Sequence, residues 1–257
     1  MDRKNEYIAV FDSGVGGISV LRQLCRELPR ERFLYFGDSA NAPYGDRSVQ
    51  QVRQLTLDAA KMLMGRKVKA LVVACNTATA AAIELLRQTY PDEIIIGIEP
   101  AVKLAASRYP RGRIGVMATQ VTLRQERFED LIARHGGTAA VERIPAPGLV
   151  ELIEQGMADS PAAEALLTGI LAPWKGKLDA LVLGCTHYPF VKKAISRILG
   201  DRTELLDGSL GTARETRRRL EAAGLLRTGE GEIIIEDSAP GHEIVDLAWQ
   251  LLQQPES

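Results

Sequence analysis

The chain has 257 residues, which is enough for one large domain or two small ones with a substantial buried core. Its 32 Lys and Arg residues against 33 Asp and Glu residues give a net charge of -1, which argues against broad binding to nucleic acid or to anionic membranes. Three cysteines without a CxxC pair, and no apolar N-terminal segment, argue against an exported disulfide-rich protein. The most apolar window, residues 70–86, is interrupted by polar residues and is shorter than a membrane span. We therefore expect a cytoplasmic protein with small or specific partners, with no nucleic acid and no membrane among them.

Short strand-like runs alternate with amphipathic helical runs along the chain. In the first part, "YIAVF" precedes "GISVLRQLCREL", "RFLYFG" precedes "SVQQVRQLTLDAAKMLMG", and "ALVVAC" precedes "TATAAAIELLRQ". After Pro91 come "EIIIGI", then "RIGVMAT" before "LRQERFEDLIARHG", and "ALVLGC" before "PFVKKAISRILG". This alternation is typical of parallel βαβ units, so the chain is predicted to have an α/β fold.

Two strand-like segments recur in the same order. "IAVFDS" at residues 8–13 aligns with "IGVMAT" at 114–119, and "LVVACNT" at 71–77 aligns with "LVLGCTH" at 181–187, at nearly the same offset. The repeat predicts two pseudosymmetric lobes, each a mostly parallel sheet flanked by helices, with the active site in the cleft between them. We expect residues 1–97 and 213–257 to form the first lobe and residues 98–212 the second. The final segment, with "ARETRRRLEAAGLL", "GEIIIED" and "HEIVDLAWQLLQ", is expected to pack on the first lobe.

Four polar or reactive residues follow predicted strands, namely Asp12, Cys75, Thr119 and Cys185. In open α/β sheets ligands bind outside the carboxyl ends of the strands, so these residues are candidates for a ligand site. Helix N-termini at such positions favour carboxylates and lower the pKa of a thiol. The glycines of "DSGVGG" let the backbone approach a ligand, and Ser13 adds a hydroxyl, but the segment is not GxGxxG and does not predict a nucleotide site.

A single cysteine after a buried strand is usually a small core residue. Cys75 and Cys185, however, stand in matching frames of the repeat, and each precedes a polar residue. Such a pair indicates function. Cys25 lies on an apolar helical face and is predicted to be a packing residue. His187 lies two residues after Cys185 and two before Pro189, and it is therefore a candidate to assist this thiol.

Four motifs carry a resemblance to a known family: "DSGVGG", "GDSANAPYG", "ACNTAT" and "GCTHYP". In this order they resemble the glutamate racemases of the cofactor-independent aspartate/glutamate racemase superfamily. The resemblance implies that Cys75 and Cys185 are the two catalytic bases, that Asp12 and His187 assist them, and that Glu154 is a further catalytic acid near His187. Thr119 is added as a substrate-binding candidate because of its place at a strand end. The full set of residues expected to hold the substrate is Asp12, Ser13, Tyr44, Gly45, Asn76, Thr77, Thr119, Thr186 and His187.

The same resemblance implies an isomerase that interconverts L-glutamate and D-glutamate without a cofactor or a metal. Cys75 would act on the D enantiomer and Cys185 on the L enantiomer. The D-glutamate would supply peptidoglycan synthesis, and so cell-wall biogenesis and cell shape. Relatives of this kind tend to form homodimers, which we therefore expect here.

The chemistry itself explains a need for two thiols. Inversion at an α-carbon without a cofactor requires one group to remove a proton from one face and another group to deliver a proton to the opposite face. The developing carbanion then depends on preorganised N–H donors around the carboxylate and on the exclusion of water. Two pseudosymmetric lobes with one thiol each meet these requirements.

Other functions remain open at this point. An aspartate racemase or a decarboxylase of the same superfamily would share the architecture, although relatives acting on aspartate tend to carry His where this chain has Thr79, and the decarboxylases lack one thiol. Cys75, Cys185, His187 and Asp12 are also suitable residue types for a zinc site. A two-lobed amino-acid-binding protein is a third alternative, and it would need no catalytic thiols.

Overall fold

A computed structural model gives the structure of residues 3–124 and 126–254. Within these ranges the strands are β1 Tyr7–Asp12, β2 Arg32–Gly37, β3 Val68–Val73, β4 Ile94–Gly97, β5 Arg113–Ala118, β6 Ala140–Pro145, β7 Ala180–Leu183, β8 Glu204–Asp207 and β9 Glu232–Asp237. The helices are α1 Ile18–Glu27, α2 Val49–Met64, α3 Asn76–Thr89, α4 Val102–Arg108, α5 Gln120–Arg124, α6 Glu126–His135, α7 Leu149–Glu154, α8 Pro161–Leu171, α9 Lys192–Leu199, α10 Ser209–Ala222 and α11 Glu243–Gln253.

The strands form two sheets in which neighbouring strands run parallel. The first sheet has the order β4-β3-β1-β2-β9, and the second has the order β6-β5-β7-β8. The prediction of an α/β fold with two mostly parallel sheets flanked by helices is therefore confirmed. The first sheet, with the loops and helices that follow its strands, is called the first half of the molecule. The second sheet, with the loops and helices that follow its strands, is called the second half.

The repeat seen in the sequence corresponds to equivalent strands. β1 lies between β2 and β3, and β5 lies in the same way between β6 and β7. The strands that precede the two cysteines, β3 and β7, are thus equivalent neighbours of β1 and β5. β9 extends the first sheet by pairing with β2, from Arg32 opposite Glu232 to Gly37 opposite Asp237. The exact limits of the lobes, 1–97 with 213–257 and 98–212, stay a prediction.

The central strands are buried on both faces, as parallel strands covered by helices require. All six residues of β3 are buried, including the charged Lys69. The Lys69 ammonium lies 2.6 Å from Glu31 Oε2 and also donates to the carbonyls of Lys4 and Leu225, at 2.7 and 3.0 Å. This buried pair ties the segments at the amino ends of the strands together, at the end of the sheet away from the candidate site.

Some elements were not predicted from the sequence. β6 and β8 are short or exposed edge strands, and "AVERIP" carries charges that interrupt an apolar pattern. The helix expected over "LRQERFEDLIARHG" occurs as α5 and α6, with residue 125 outside the described ranges. The helix expected from Pro189 begins instead as a 3-10 turn, Tyr188–Val191, before α9. In the part of the chain that the structure describes, no helix is both long enough and apolar enough to cross a membrane.

Candidate active site

The strand-end residues selected from the sequence lie at the carboxyl ends of equivalent strands. Asp12 is the last residue of β1, and Thr119 follows β5 directly. Cys75 follows β3 and is the N-cap of α3, and Cys185 follows β7. Each half of the molecule therefore presents one thiol from the same position of the same kind of sheet.

The Cys75 thiol is linked to a carboxylate through a hydroxyl. Ser13 Oγ lies 3.4 Å from Cys75 Sγ and 3.5 Å from Asp12 Oδ1, so a proton can pass between sulfur and carboxylate by way of Ser13. The backbone N–H of Ala78, in the first turn of α3, also donates to the sulfur at 3.4 Å.

The environment of Cys75 favours the protonated thiol. Burial raises the pKa of Cys75 to about 12, with a further contribution from the negative charge of Asp12, and the hydrogen bonds from Ser13 and Ala78 oppose this only in part. The sequence-based expectation of a lowered pKa for this thiol is wrong, because desolvation at a residue only 5% exposed outweighs the lowering by the Ala78 N–H and the Ser13 hydroxyl.

The Cys185 thiol has a different partner leading to a second carboxylate. Its sulfur lies 3.6 Å from His187 Nδ1, and His187 Nε2 lies 2.5 Å from Glu154 Oε1. Burial disfavours the charged imidazolium, but the hydrogen bonds to Cys185 and Glu154 raise the pKa of His187 well above its ordinary value. The charged form of His187 is therefore favoured beside the Cys185 sulfur.

The loop after β1 contacts the second half at several points around Asp12. Thr186 Oγ1 donates to Asp12 Oδ2 at 3.0 Å, and the Gly14 N–H donates to Asp12 Oδ1 at 3.1 Å. The Val15 N–H donates to Glu154 Oε1 at 2.8 Å. Burial raises the pKa of Asp12 to about 6, while the charge of His187 and the Thr186 hydrogen bond work in the opposite direction. The two thiol-to-carboxylate chains are thus joined across the interface between the halves.

Three threonine hydroxyls form a second contact between the halves. Thr77 Oγ1 lies 3.1 Å from Thr119 Oγ1 and 3.0 Å from Thr122 Oγ1, and the latter two lie 3.0 Å apart. Thr122 was not selected from the sequence, and the available signal was its position one helical turn after Thr119. The segment "GDSANAPYG" also approaches this threonine group, because a Cβ atom at Gly45 would lie 2.8 Å from Thr119 Cγ2.

The remaining selected residues line the same region in different ways. Tyr44 is buried, and its hydroxyl donates to Asp38 Oδ2 at 2.7 Å, so this hydroxyl is already engaged. Asn76 is the first residue of α3, and its buried Oδ1 has no hydrogen-bond partner among the described residues. The structure therefore brings the selected residues together, while their roles toward a substrate stay predictions.

Comparison with known proteins decides the family. A family model of the Asp/Glu/Hydantoin racemases matches residues 13–216. The chain belongs to this family. It is 46% identical to a glutamate racemase of Clostridium acetobutylicum over 255 residues, which covers 98% of this chain and 99% of that protein.

Solved structures agree with this assignment. The glutamate racemase isoform RacE1 of Bacillus anthracis matches with a TM-score of 0.88 at 31% identity, covering 99% of this chain and 96% of that one. A glutamate racemase of Francisella tularensis in complex with D-glutamate matches with a TM-score of 0.85 at 29% identity, covering 98% and 95%. The family membership confirms the predicted resemblance and the prediction of an isomerase.

Two other features concern the third cysteine and the zinc site that the sequence left open. Cys25, on α1, packs against the core away from the paired thiols, and burial raises its pKa to about 12. Among residues 3–124 and 126–254, no three His, Cys, Asp or Glu side chains are grouped as ligands of a metal ion.

Proposed function

We propose that the chain interconverts L-glutamate and D-glutamate through two thiols, without a cofactor. The observation that carries the proposal is the pair Cys75 and Cys185 at equivalent strand ends of two sheets, each with its own chain of hydrogen bonds to a carboxylate. Glutamate as the substrate is supported by the relatives, which are glutamate racemases, and by the Francisella tularensis structure with D-glutamate.

The charges around the two sulfurs suggest how a reaction begins. With its pKa raised to about 12, Cys75 rests as a thiol, and we assign the role of base toward L-glutamate to Cys185, whose sulfur lies 3.6 Å from His187 Nδ1. In this state Cys185 removes the α-proton of L-glutamate, and Cys75 delivers its proton to the opposite face. The product is D-glutamate, and the protonation states of the two sulfurs are exchanged.

The hydrogen-bonded chains then restore the starting state. Once the product has left, the Cys75 thiolate regains a proton from solvent by way of Ser13, which lies beside Asp12, and Cys185 loses its proton to solvent next to His187, which Glu154 holds in place. D-glutamate reacts by the same steps in the reverse order. This assigns catalytic roles to all five residues selected from the sequence.

Substrate binding is proposed to rest on the first turn of α3 and on the residues that face it. The helix N-terminus suits the α-carboxylate, since unpaired N–H groups there favour an anion, and the unpaired Asn76 Oδ1 is an acceptor that suits the α-ammonium group. Tyr44 would contribute through its ring and backbone, because its hydroxyl bonds Asp38. The proposed binding residues are Asp12, Ser13, Tyr44, Gly45, Asn76, Thr77, Thr119, Thr186 and His187.

The proposal extends to the setting of the reaction. A racemase acting on glutamate in the cytoplasm would supply D-glutamate for peptidoglycan, and we propose a homodimer as the working form. The two lobes, residues 1–97 with 213–257 and residues 98–212, would close around the substrate. Closure removes water from the carbanion, which strengthens the electrostatic stabilisation that the N–H donors provide.

The test is to incubate the purified protein with L-glutamate, and separately with L-aspartate, without pyridoxal phosphate, and to follow optical rotation. We expect rotation to fall to zero with glutamate. Cys75→Ala and Cys185→Ala should abolish this fall, whereas the control Cys25→Ala should not. Comparable racemisation of aspartate, release of carbon dioxide, or a Cys75→Ala enzyme with a sizeable fraction of the normal rate would contradict the proposal.

A further inference from the structure

Ser19 is a buried residue of α1 whose hydroxyl lies between the two halves of the molecule. It is only 6% exposed, and its Oγ lies 2.9 Å from the Gly16 carbonyl oxygen of the first half and 2.8 Å from the Thr186 carbonyl oxygen of the second. Ser19 is outside the four sequence motifs. Its hydroxyl bonds to Gly16 and Thr186 and not to the sulfur of Cys75 or Cys185.

The hydroxyl has one proton for these two carbonyls. The Gly16 carbonyl already accepts the backbone N–H of Ser19 itself, at 3.0 Å. The Thr186 carbonyl therefore gains more from the hydroxyl proton, because a buried carbonyl without a donor is costly. The bond from Ser19 to Thr186 is the one that joins the two halves.

This bond fixes the backbone between Cys185 and His187. The side chain of Thr186 is held by Asp12 and its carbonyl by Ser19, so both sides of this residue are attached to the first half. By contrast, Cys75 and its partners Ser13 and Ala78 all belong to the first half and do not depend on this bond.

We infer that Ser19 is a positioning residue that sets the reach of Cys185 toward the α-carbon and leaves that of Cys75 unchanged. The inference rests on the proposed racemisation of glutamate. Its consequence is an asymmetry: loss of the hydroxyl slows proton transfer on the Cys185 side alone.

Rates by themselves cannot reveal this asymmetry. Enantiomers have equal free energies, so kcat/KM is the same in both directions for any variant. Isotope effects do distinguish the two proton transfers, because deuterium at the α-carbon of L-glutamate is removed by Cys185 and deuterium at the α-carbon of D-glutamate is removed by Cys75. A slower Cys185 step raises the isotope effect measured with L-glutamate and lowers that measured with D-glutamate.

The experiment compares kcat/KM for α-deuterated and protiated glutamate, both enantiomers, in wild-type protein and in Ser19→Ala. We expect kcat/KM to fall about tenfold, as for the loss of one positioning hydrogen bond, and the two isotope effects to move in opposite directions. Ser19→Thr keeps the hydroxyl and should restore wild-type values. Ser13→Ala, which removes the hydroxyl next to Cys75, should move the isotope effects in the reverse sense.

A matched control separates positioning from general loss of stability. Thr56 is a fully buried helical residue whose hydroxyl donates to the Val52 carbonyl at 2.7 Å within α2. Thr56→Val should lower stability without changing either isotope effect. If Ser19→Ala does not fold, Ser19→Cys supplies a weak donor of similar size and should shift the isotope effects in the same sense.

The outcomes are distinct. If the wild-type protein does not racemise glutamate, the proposed function fails. If it does, and Ser19→Ala or Ser19→Cys leaves both isotope effects unchanged or moves them equally, the inference about Ser19 is overturned and the function stands.

Discussion

A methyl group at Gly16 provides a direct test of the contact between the halves. Gly16 is not among the glycines with positive φ, so alanine fits its backbone conformation. Its Cβ would lie 2.4 Å from His187 Nδ1, the atom that faces Cys185, and 2.6 Å from Thr186 Oγ1. Since ordinary contacts of a Cβ atom begin at 3.4 Å, the loop and the His187 turn must separate by about 1 Å.

A displacement of this size is large for proton transfer. A misplacement of about 1 Å costs on the order of 100-fold in rate, or about 2.7 kcal/mol in activation free energy. We therefore expect Gly16→Ala to lower kcat/KM for glutamate by about that factor, as measured by optical rotation. Gly211→Ala is the control, because its Cβ has no atom within 4 Å. A Gly16→Ala enzyme within about twofold of wild type would refute the reasoning.

Three further results are expected. Because burial raises the pKa of Asp12 to about 6, this carboxyl is protonated below that pH and accepts hydrogen bonds poorly, so kcat/KM should fall as pH drops below about 6; a profile flat to about pH 5 would argue against a role for its carboxylate. Lys69→Met leaves the Glu31 carboxylate buried without its ion pair and should lower the free energy of unfolding by about 3–5 kcal/mol in urea titrations, whereas the exposed Lys193→Met should change it by less than about 0.5 kcal/mol; equal effects would contradict the structure. Aspartate should have a kcat/KM at least about tenfold below that of glutamate, because its shorter side chain misplaces the distal carboxylate, and equal values would exclude that basis for specificity.

The central part of the fold could be predicted from the sequence because its strands are buried on both faces. Such strands appear as continuous apolar runs, as in "LVVAC" and "LVLGC", and the repeat of these runs identified equivalent positions. The edge strands β6 and β8 could not be recognised in the same way. β6 is half-exposed and carries Glu142 and Arg143, and β8 has charged residues at both ends and only Leu206 buried.

The residues of the candidate site could be predicted from the sequence, but the hydrogen bonds between them could not. The motifs identified both thiols and the polar residues that follow them. Contacts between residues far apart in sequence, such as Ser19 with Thr186, depend on how the two sheets face each other, and no spacing in the chain indicates that. The pKa of Cys75 was mispredicted for a related reason, because the local signal was a helix N-terminus while the larger effect is burial by the whole fold.

The central claim is that two thiols on opposite faces of the α-carbon exchange different protons. It is tested most directly by starting the reaction with protiated L-glutamate in deuterated water and analysing both enantiomers by mass during the first few per cent of conversion. The delivering sulfur of Cys75 carries deuterium from the solvent before the reaction begins, so the first D-glutamate formed should contain deuterium while the remaining L-glutamate stays largely protiated. A single base that serves both faces returns the substrate's own hydrogen, and early D-glutamate that retains this hydrogen would contradict the two-thiol account.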